Sequence, residues 1–290
     1  MRIAFFLQGK SSTDHIPHVS AVTEEIIERL NSKGAHVDLL VPEEKALNLD
    51  KIRLYYDLYV LKCKTPLILS LAGALSASGA SIINTWRATF LNRNKIISTA
   101  LLAASSIPVP PSWATGQPTQ FLPLLKGGPL WMKPVNGSRG KDVYRITAEA
   151  GLTDQKSPVD PYGLPLPLFA QREAPSEGRD LKVYVVGDRT WAITRPWPAR
   201  SMEDKLGQPA VISQEICSTA IACGKVLGLE IYGVDFLVAG NQFYVVDINA
   251  FPGFKGASGA PFHIAEYIYR SVCNNSLEKH MEGVSHEQFK

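Results

Sequence analysis

No two cysteines in this 290-residue chain are spaced C-x-x-C, and there are four in all, Cys63, Cys217, Cys223 and Cys273. That spacing offers no compact zinc or dithiol motif and fits reduced, mostly buried thiols of a cytosolic protein. Charge of one sign is also missing. Lys and Arg total 30 against 27 Asp and Glu, a formal charge of +3, which argues against a nucleic-acid arm or a polybasic membrane patch while leaving room for a local basic pocket. Long hydrophobic runs are absent too. The uncharged stretches 65–86 and 96–125 are broken by Gly73, Gly79, serines and Asn84 in the first and by a proline cluster in the second, so neither suits a membrane span. The opening MRIAFFLQGK has too short an apolar run for a signal peptide. There is no internal repeat or low-complexity tract. With 45% apolar and 20% charged residues, the chain reads as soluble, cytoplasmic and long enough for about two domains.

What is present begins with strand, helix, strand. Residues 2–7 read as a buried strand. Val22, Ile26, Ile27 and Leu30 recur at helical spacing, and Gly34 stands where a helix would stop. Strands are expected at 36–41, 55–61 and 81–84, with a buried helix at 67–77, the pattern of a small parallel α/β domain over 1–85. A short helix at 95–105 must end at Ile107-Pro108-Val109-Pro110-Pro111. From there strands dominate: 130–134, 142–147, 168–172, 181–186, 191–195, 233–238 and 243–248. Hairpin turns are read at Gly187-Asp188 and Gly240-Asn241. Residues 214–227 form the one clear long helix, 151–167 a proline-rich loop insertion, and the stretch after Asn274 a polar tail.

Four segments carry chemistry. In Lys133-Pro134-Val135-Asn136-Gly137-Ser138-Arg139-Gly140, a lysine at a strand end precedes a glycine-serine turn. Gly137 and Gly140 let backbone N–H groups approach phosphate oxygens, and Ser138 adds a donor; a plain hairpin turn is the alternative. In Gly233-Val234-Asp235-Phe236-Leu237 and Val245-Val246-Asp247-Ile248-Asn249, each apolar strand carries an acid. Asp247 and Asn249 share one face, and Asp235 lies on the preceding strand of the hairpin. Two carboxylates and an amide oxygen at one point make a hard-cation site of the Mg²⁺ kind; acids paired with a neighbouring Lys or Arg are the alternative. In Asp180-Leu181-Lys182-Val183-Tyr184, Lys182 and Tyr184 share a face, and Arg195 on the paired strand would join Lys182 to neutralise an anion, unless that face is simply solvated. Finally, Phe251-Pro252-Gly253-Phe254-Lys255-Gly256 permits close backbone approach to a ligand, or is a simple turn.

Taken in order, these segments resemble the ATP-grasp superfamily, from Asn84 and Asn92-Arg93-Asn94-Lys95 through Lys133-Pro134 and Ala170-Gln171-Arg172-Glu173 to the acidic strands. Two branches look closest. The ribosomal-protein glutamate ligases and their amino-acid ligase relatives are similar in Lys133-Pro134 and Gly137-Ser138-Arg139-Gly140. The inositol-trisphosphate kinases are similar in the run from Leu181 to Gly187, in Arg195-Pro196, and in Asp247-Ile248-Asn249-Ala250-Phe251-Pro252-Gly253. The resemblance implies a small N-terminal parallel α/β domain (1–85) and two α+β subdomains clamping a nucleotide: 86–168 with the glycine-rich flap and 169–275 with the metal site, before a polar tail at 276–290. It implies that Lys95 and Lys133 contact ATP phosphates, that Gly137, Ser138, Arg139 and Gly140 close over them, and that Gln171 and Glu173 hold adenine. Asp235, Asp247 and Asn249 would hold one or two Mg²⁺. Lys182 and Arg195 would act in catalysis and on the acceptor, with the Gly253 backbone lining its pocket. Glu177 is a candidate for the ribose hydroxyls. This sequence departs from the pattern where the ligases usually carry Glu and it has Asp247, and where many carry an acidic hinge residue and it has Arg172; the kinases usually lack the Gly-Ser-x-Gly flap.

The implied reaction is ATP- and Mg²⁺-dependent joining of a small-molecule or peptide carboxylate to an amine through an acylphosphate. The alternative is an inositol or other polyol phosphate kinase, whose acceptor would draw on Lys182, Arg195, Arg200 and Lys255, with His15, His18 and Arg87 from the first domain. A nucleotide-binding protein without turnover is a third reading, disfavoured by intact Lys133, Asp235, Asp247 and Asn249. Neither a nucleic acid nor a membrane is an expected partner.

Overall fold

The computed structural model describes residues 1–9, 19–44, 46–137, 142–153, 159–160, 163–197, 201, 203–204 and 206–287, with the side chains of 51 and 275–287 left undescribed. Its elements in chain order are β1 (Arg2–Phe6), α1 (Ala21–Ser32), β2 (His36–Leu40), β3 (Leu58–Leu61), α2 (Pro66–Ala77), β4 (Ile82–Ile83), α3 (Trp86–Arg93), α4 (Lys95–Ala104), β5 (Ser112–Thr115), β6 (Leu130–Pro134), β7 (Tyr144–Ile146), α5 (Ala150–Thr153), β8 (Leu168–Arg172), β9 (Arg179–Val186), β10 (Arg189–Pro196), β11 (Gln208–Pro209), α6 (Gln214–Leu227), β12 (Ile231–Ala239), β13 (Gln242–Ala250) and α7 (Ala260–Glu287).

Three sheets result. The first is parallel, in the order β2-β1-β3-β4. Serine and threonine N-caps start its helices: Ser20 accepts from the Thr23 N–H and Thr65 from the Ile68 N–H. The second is antiparallel, in the order β5-β8-β6-β7, and the third is antiparallel, in the order β11-β10-β9-β12-β13. One face of the third sheet (Val183, Val185, Tyr232, Val234, Phe236) packs on α6 through Ile216, Ala220, Cys223 and Leu227. At one end of its other face, Tyr184, Val186 and Ile231 join Ile3, Phe5 and Val60 of the first sheet and Ile264 and Ile268 of α7 in a single core. Two buried asparagines fasten the neighbouring segments. Asn84 Nδ2 donates to the Ile231 carbonyl, and its Oδ1 accepts from the N–H groups of Glu230 and Ile231, all within 2.9 Å. Asn92 donates to the Ile248 carbonyl at 2.9 Å and accepts from the Ala250 N–H at 3.1 Å.

Some elements differ from those expected. The backbone stays helical from Ala260 through Glu287, beyond the Asn274 boundary of the polar tail, so α7 and not α6 is the longest helix. α3 lies between the strand expected at 81–84 and the helix expected at 95–105, where no element is assigned, and β5 follows the proline cluster. Within 151–167 the described backbone includes the end of α5 and an isolated bridge between Val159 and Pro165. The four cysteines are unpaired, and among the described residues no helix is long and apolar enough to cross a membrane.

Candidate active site

The strand register builds the site. Lys182 on β9 is opposite Asp235 on β12, which is opposite Asp247 on β13, so the three side chains form one row across three strands. Asn249 lies two pairs along, opposite Gly233. A β-bulge between Asp235 and Phe236 leaves Val246 as the extra residue of β13. The bulge has a use: Val245 turns into the core with α6 while Asp247, two positions on, points to the opposite face. Asn249 Nδ2 donates to Asp235 Oδ2 and Asp247 Oδ2, each at 3.2 Å. The three side chains expected to hold metal therefore meet at one point on one face.

Both carboxylates have cationic partners. Lys95 Nζ is 2.6 Å from Asp247 Oδ1, and Lys182 Nζ is 2.5 Å from Asp235 Oδ1. Burial opposes ionisation of Asp247, but the Lys95 charge and hydrogen bond, joined by Lys133 and Lys64, hold its carboxyl well below the usual range. Lys95 opens α4, where Asn94 accepts from the Ile96 and Ile97 N–H groups. A cation is disfavoured at a helix N-terminus, and Asp247 offsets that cost. At position 233 an added Cβ would come within 3.2 Å of Lys182 Cε, Tyr184 Cδ1 and Pro252 Cγ, so glycine there leaves the lysine room to lie across the strand.

Next to this row, Arg195 on β10 makes a two-point pair with Asp180 on β9, at 2.8 and 2.6 Å, and its Nη2 also stands 3.3 Å from Asp235 Oδ1. Burial raises the Asp180 carboxyl even against its arginine. Burial works against the Arg195 charge, yet the Asp180 hydrogen bond carries its guanidinium above the ordinary value.

From the second sheet, Lys133 and Gln171 face the third. Lys133 Nζ donates to Gln171 Oε1 at 2.8 Å and to the carbonyl of the bulge residue Val246 at 3.4 Å. Burial depresses the Lys133 ammonium to about 8. A crevice of about 300 Å³, part of it open solvent, runs between the two sheets and α4, lined by Lys95, Phe169, Gln171, Val246 and Asp247 among others. Elsewhere between these sheets, Trp131 of β6 and Trp197, just past β10, make an edge-on contact with ring centroids 6.2 Å apart.

The remaining expected residues divide. The Glu173 carboxylate is engaged by Arg145 at 2.6 and 2.7 Å and by Trp131 Nε1 at 3.1 Å. Arg172 points to the other face of its sheet, donating to the Leu124 and Gly128 carbonyls and covering the Trp113 ring; it ties down a loop where an acidic residue would not. Glu177 accepts from the Gly240 N–H at 2.9 Å and braces the β12–β13 turn. Gly137 closes a turn by donating to the Pro134 carbonyl at 3.1 Å. Gly253 lies in a turn where Phe251 and Phe254 both have positive φ, 41° and 48°. Arg87 and Lys255 are exposed. Ser138, Arg139, Gly140, His15, His18 and Arg200 lie outside the described residues.

The sequence reading gives no role to Asp180, Lys62 or Lys64. Asp180 was legible as the polar member two before Lys182. Lys62 Nζ reaches the carbonyls of Phe251 and Pro252, each at 3.1 Å, and only the fold brings these segments together.

The fold has solved counterparts. The chain superimposes on a RimK domain ATP-grasp protein from Sphaerobacter thermophilus with TM-score 0.72 at 16% identity, covering 93% of this chain and all of that one. It superimposes on D-alanine–D-alanine ligase from Bacillus anthracis, complexed with ATP, with TM-score 0.68 at 18% identity over 98% and 99% of the two chains. The fold is therefore ATP-grasp. Residues 92–271 match the RimK-like ATP-grasp domain, and the chain belongs to that family. Among named relatives, a probable alpha-L-glutamate ligase 1 of Hahella chejuensis is 30% identical over 200 residues, and one of Shewanella loihica is 24% identical over 290. The matched stretch spans 65% of the Hahella relative and 64% of this chain; for the Shewanella relative it spans 95% and 94%.

Proposed function

We propose that the chain is an ATP- and Mg²⁺-dependent carboxylate–amine ligase that works through an acylphosphate. The observation that carries this reading is the row Lys182–Asp235–Asp247 with Asn249 beside it, in which Asp247 lines the crevice and Lys133 bonds to two residues of its lining, Gln171 and Val246. The two converging carboxylates are hard donors of the type Mg²⁺ takes and fit one or two such ions; the Asn249 amide, which here donates to both through Nδ2, would turn its oxygen to a bound ion. Bound there, Mg²⁺ would neutralise phosphate charge. Lys95 and Lys133 would hold the nucleotide phosphates, with Gln171 and the Glu173 backbone at the base and residues 137–140 closing above. Lys182 and Arg195 would steady the acceptor carboxylate and the charge that develops as the γ-phosphoryl group moves to its oxygen. The amine then displaces phosphate and an amide forms. Exclusion of water protects the acylphosphate from hydrolysis. The phosphoryl acceptor is a small-molecule or peptide carboxylate lying along the Gly253 turn, and the enzyme works in the cytoplasm.

The kinase alternative shares the first step. The ligase reading is favoured because the similar proteins are named as ligases. The test is incubation with ATP, Mg²⁺ and pooled carboxylates in hydroxylamine. Hydroxamate with free phosphate and ADP is the expected result; phosphate retained on an alcohol would replace the ligase with a kinase, and the absence of ADP with every pool would leave a binding protein.

A further inference from the structure

Among the described residues, Lys64 is a cation near the site with no carboxylate bonded to it. Lys95, Lys182 and Arg195 each have a carboxylate partner, and Lys133 has Gln171. The Lys64 ammonium makes no hydrogen bond or ion pair with a described residue, although it is close enough to Asp247, Lys95, Arg93 and Lys182 for their charges to act on it. Burial pulls its proton affinity down, so the fold bears the cost of keeping this charge there. Its backbone is held: the Arg93 guanidinium at the end of α3 donates to the Lys64 carbonyl.

Topology explains the position. In the order β2-β1-β3-β4, the chain leaves β1 toward one edge of the sheet and β3 toward the other. The carboxyl ends of β1 and β3 are the switch point of this order, the place at which parallel α/β sheets take ligands. Lys62, Cys63 and Lys64 leave β3 at that switch point. The bonds from Lys62 to the Phe251 and Pro252 carbonyls press it against the turn that carries Gly253. The N-terminal sheet thus brings an ammonium, unpaired among the described residues, within electrostatic reach of Asp247 and two residues from Lys62, which is bonded to the turn that carries Gly253.

We propose that Lys64, anchored through Arg93, binds a non-reacting anionic group of the phosphoryl acceptor, so that the acceptor carries a carboxylate or phosphate besides the oxygen that is phosphorylated. This rests on the ligase reading and adds a residue that sets specificity. A charge-assisted hydrogen bond is stronger than a neutral one, so losing the second anion should weaken binding markedly.

The experiment uses the full chain with AMPPNP and Mg²⁺. Binding of that pair by the wild type, followed by calorimetry, tests the underlying reading by itself. Succinate, glutarate and adipate are then titrated against their monomethyl esters, with the corresponding phosphonocarboxylates as a second arm that separates carboxylate from phosphate preference. At least one dianion is expected to bind about tenfold more tightly than its monoanionic partner, a difference of about 1.4 kcal/mol. Lys64→Met should erase that preference and Lys64→Arg retain it, with AMPPNP affinity unchanged in both. A preference that survives Lys64→Met, equal affinities for dianion and monoanion, or no dianion binding overturns the proposal. So does protection of Lys64 from an amine-reactive reagent by AMPPNP and Mg²⁺ alone, read by mass spectrometry, since that would make it a nucleotide ligand.

Discussion

Asp247 shows how much one side chain carries. It accepts from Lys95, approaches Asn249 and faces Lys133 across the crevice. Asp247→Ala should fold and lose at least about a hundredfold in ADP formation, as removal of a charge-stabilising group typically does; near-normal turnover would refute the metal assignment. Because its folded proton affinity is lowered, Asp247 stabilises the fold above the unfolded value near 4 and loses that contribution as pH falls through the folded value. Urea unfolding from pH 7 to 3 should therefore be steeper in wild type than in the alanine variant. Lys133 is lowered as well, to about 8, but it is a base. Its charged form is the one the fold disfavours, so its effect on stability worsens as pH drops from about 10.4 toward 8 and is constant below. A polyphosphate would reverse that preference. Binding of AMPPNP with Mg²⁺ at pH 8–9 should take up a proton, measurable by calorimetry in buffers of differing ionisation heat, and Lys133→Met should abolish the uptake. Alternation alone put Lys182 and Tyr184, and Asp247 and Asn249, on shared faces. It did not reveal that each acid has a lysine partner from elsewhere, because Lys95 reaches Asp247 across 152 positions of sequence.

At the level of elements, the bulge in β13 and the two asparagine clamps do the positioning. The paired strands were legible because short runs rich in apolar residues, each carrying few charges, lie between glycine turns, and α6 carries a Ser213 cap and a Gly228 stop. The start of α7 lacked such signals, and the polar composition after Asn274 hid its continuation. β5 is four residues beside a proline cluster, too short for periodicity to declare. The asparagines looked like family markers in the sequence, and the fold gives them work: Asn84→Ala would leave the Ile231 carbonyl and two backbone N–H groups without their partner. An unsatisfied buried group costs about 1–3 kcal/mol. Denaturant titration should show a loss of at least that size, whereas a variant at exposed Arg87 should unfold as wild type does.

In the whole molecule, three sheets meet where no single one could build the site. The parallel sheet supplies the β3 end, the second sheet Lys133 and Gln171, and the third the acids. The sequence order of motifs made this architecture legible, since each segment is weak alone and informative in series. It did not show the first sheet reaching the Gly253 turn, because that contact depends on docking between segments. A ligand bound across such a junction stabilises the assembled state by mass action. AMPPNP at about a hundred times its dissociation constant should add about 2.7 kcal/mol, visible as a higher Tm that requires Mg²⁺; an unchanged Tm would count against nucleotide binding at the crevice.

The edge-on contact of Trp131 and Trp197 crosses from β6 to the residue just past β10. The protein therefore carries a native optical reporter between its second and third sheets. Any movement of those sheets changes how the two indoles see each other, so unlabelled protein mixed with nucleotide in a stopped-flow cell would display such a movement as a change in emission, before any product has formed.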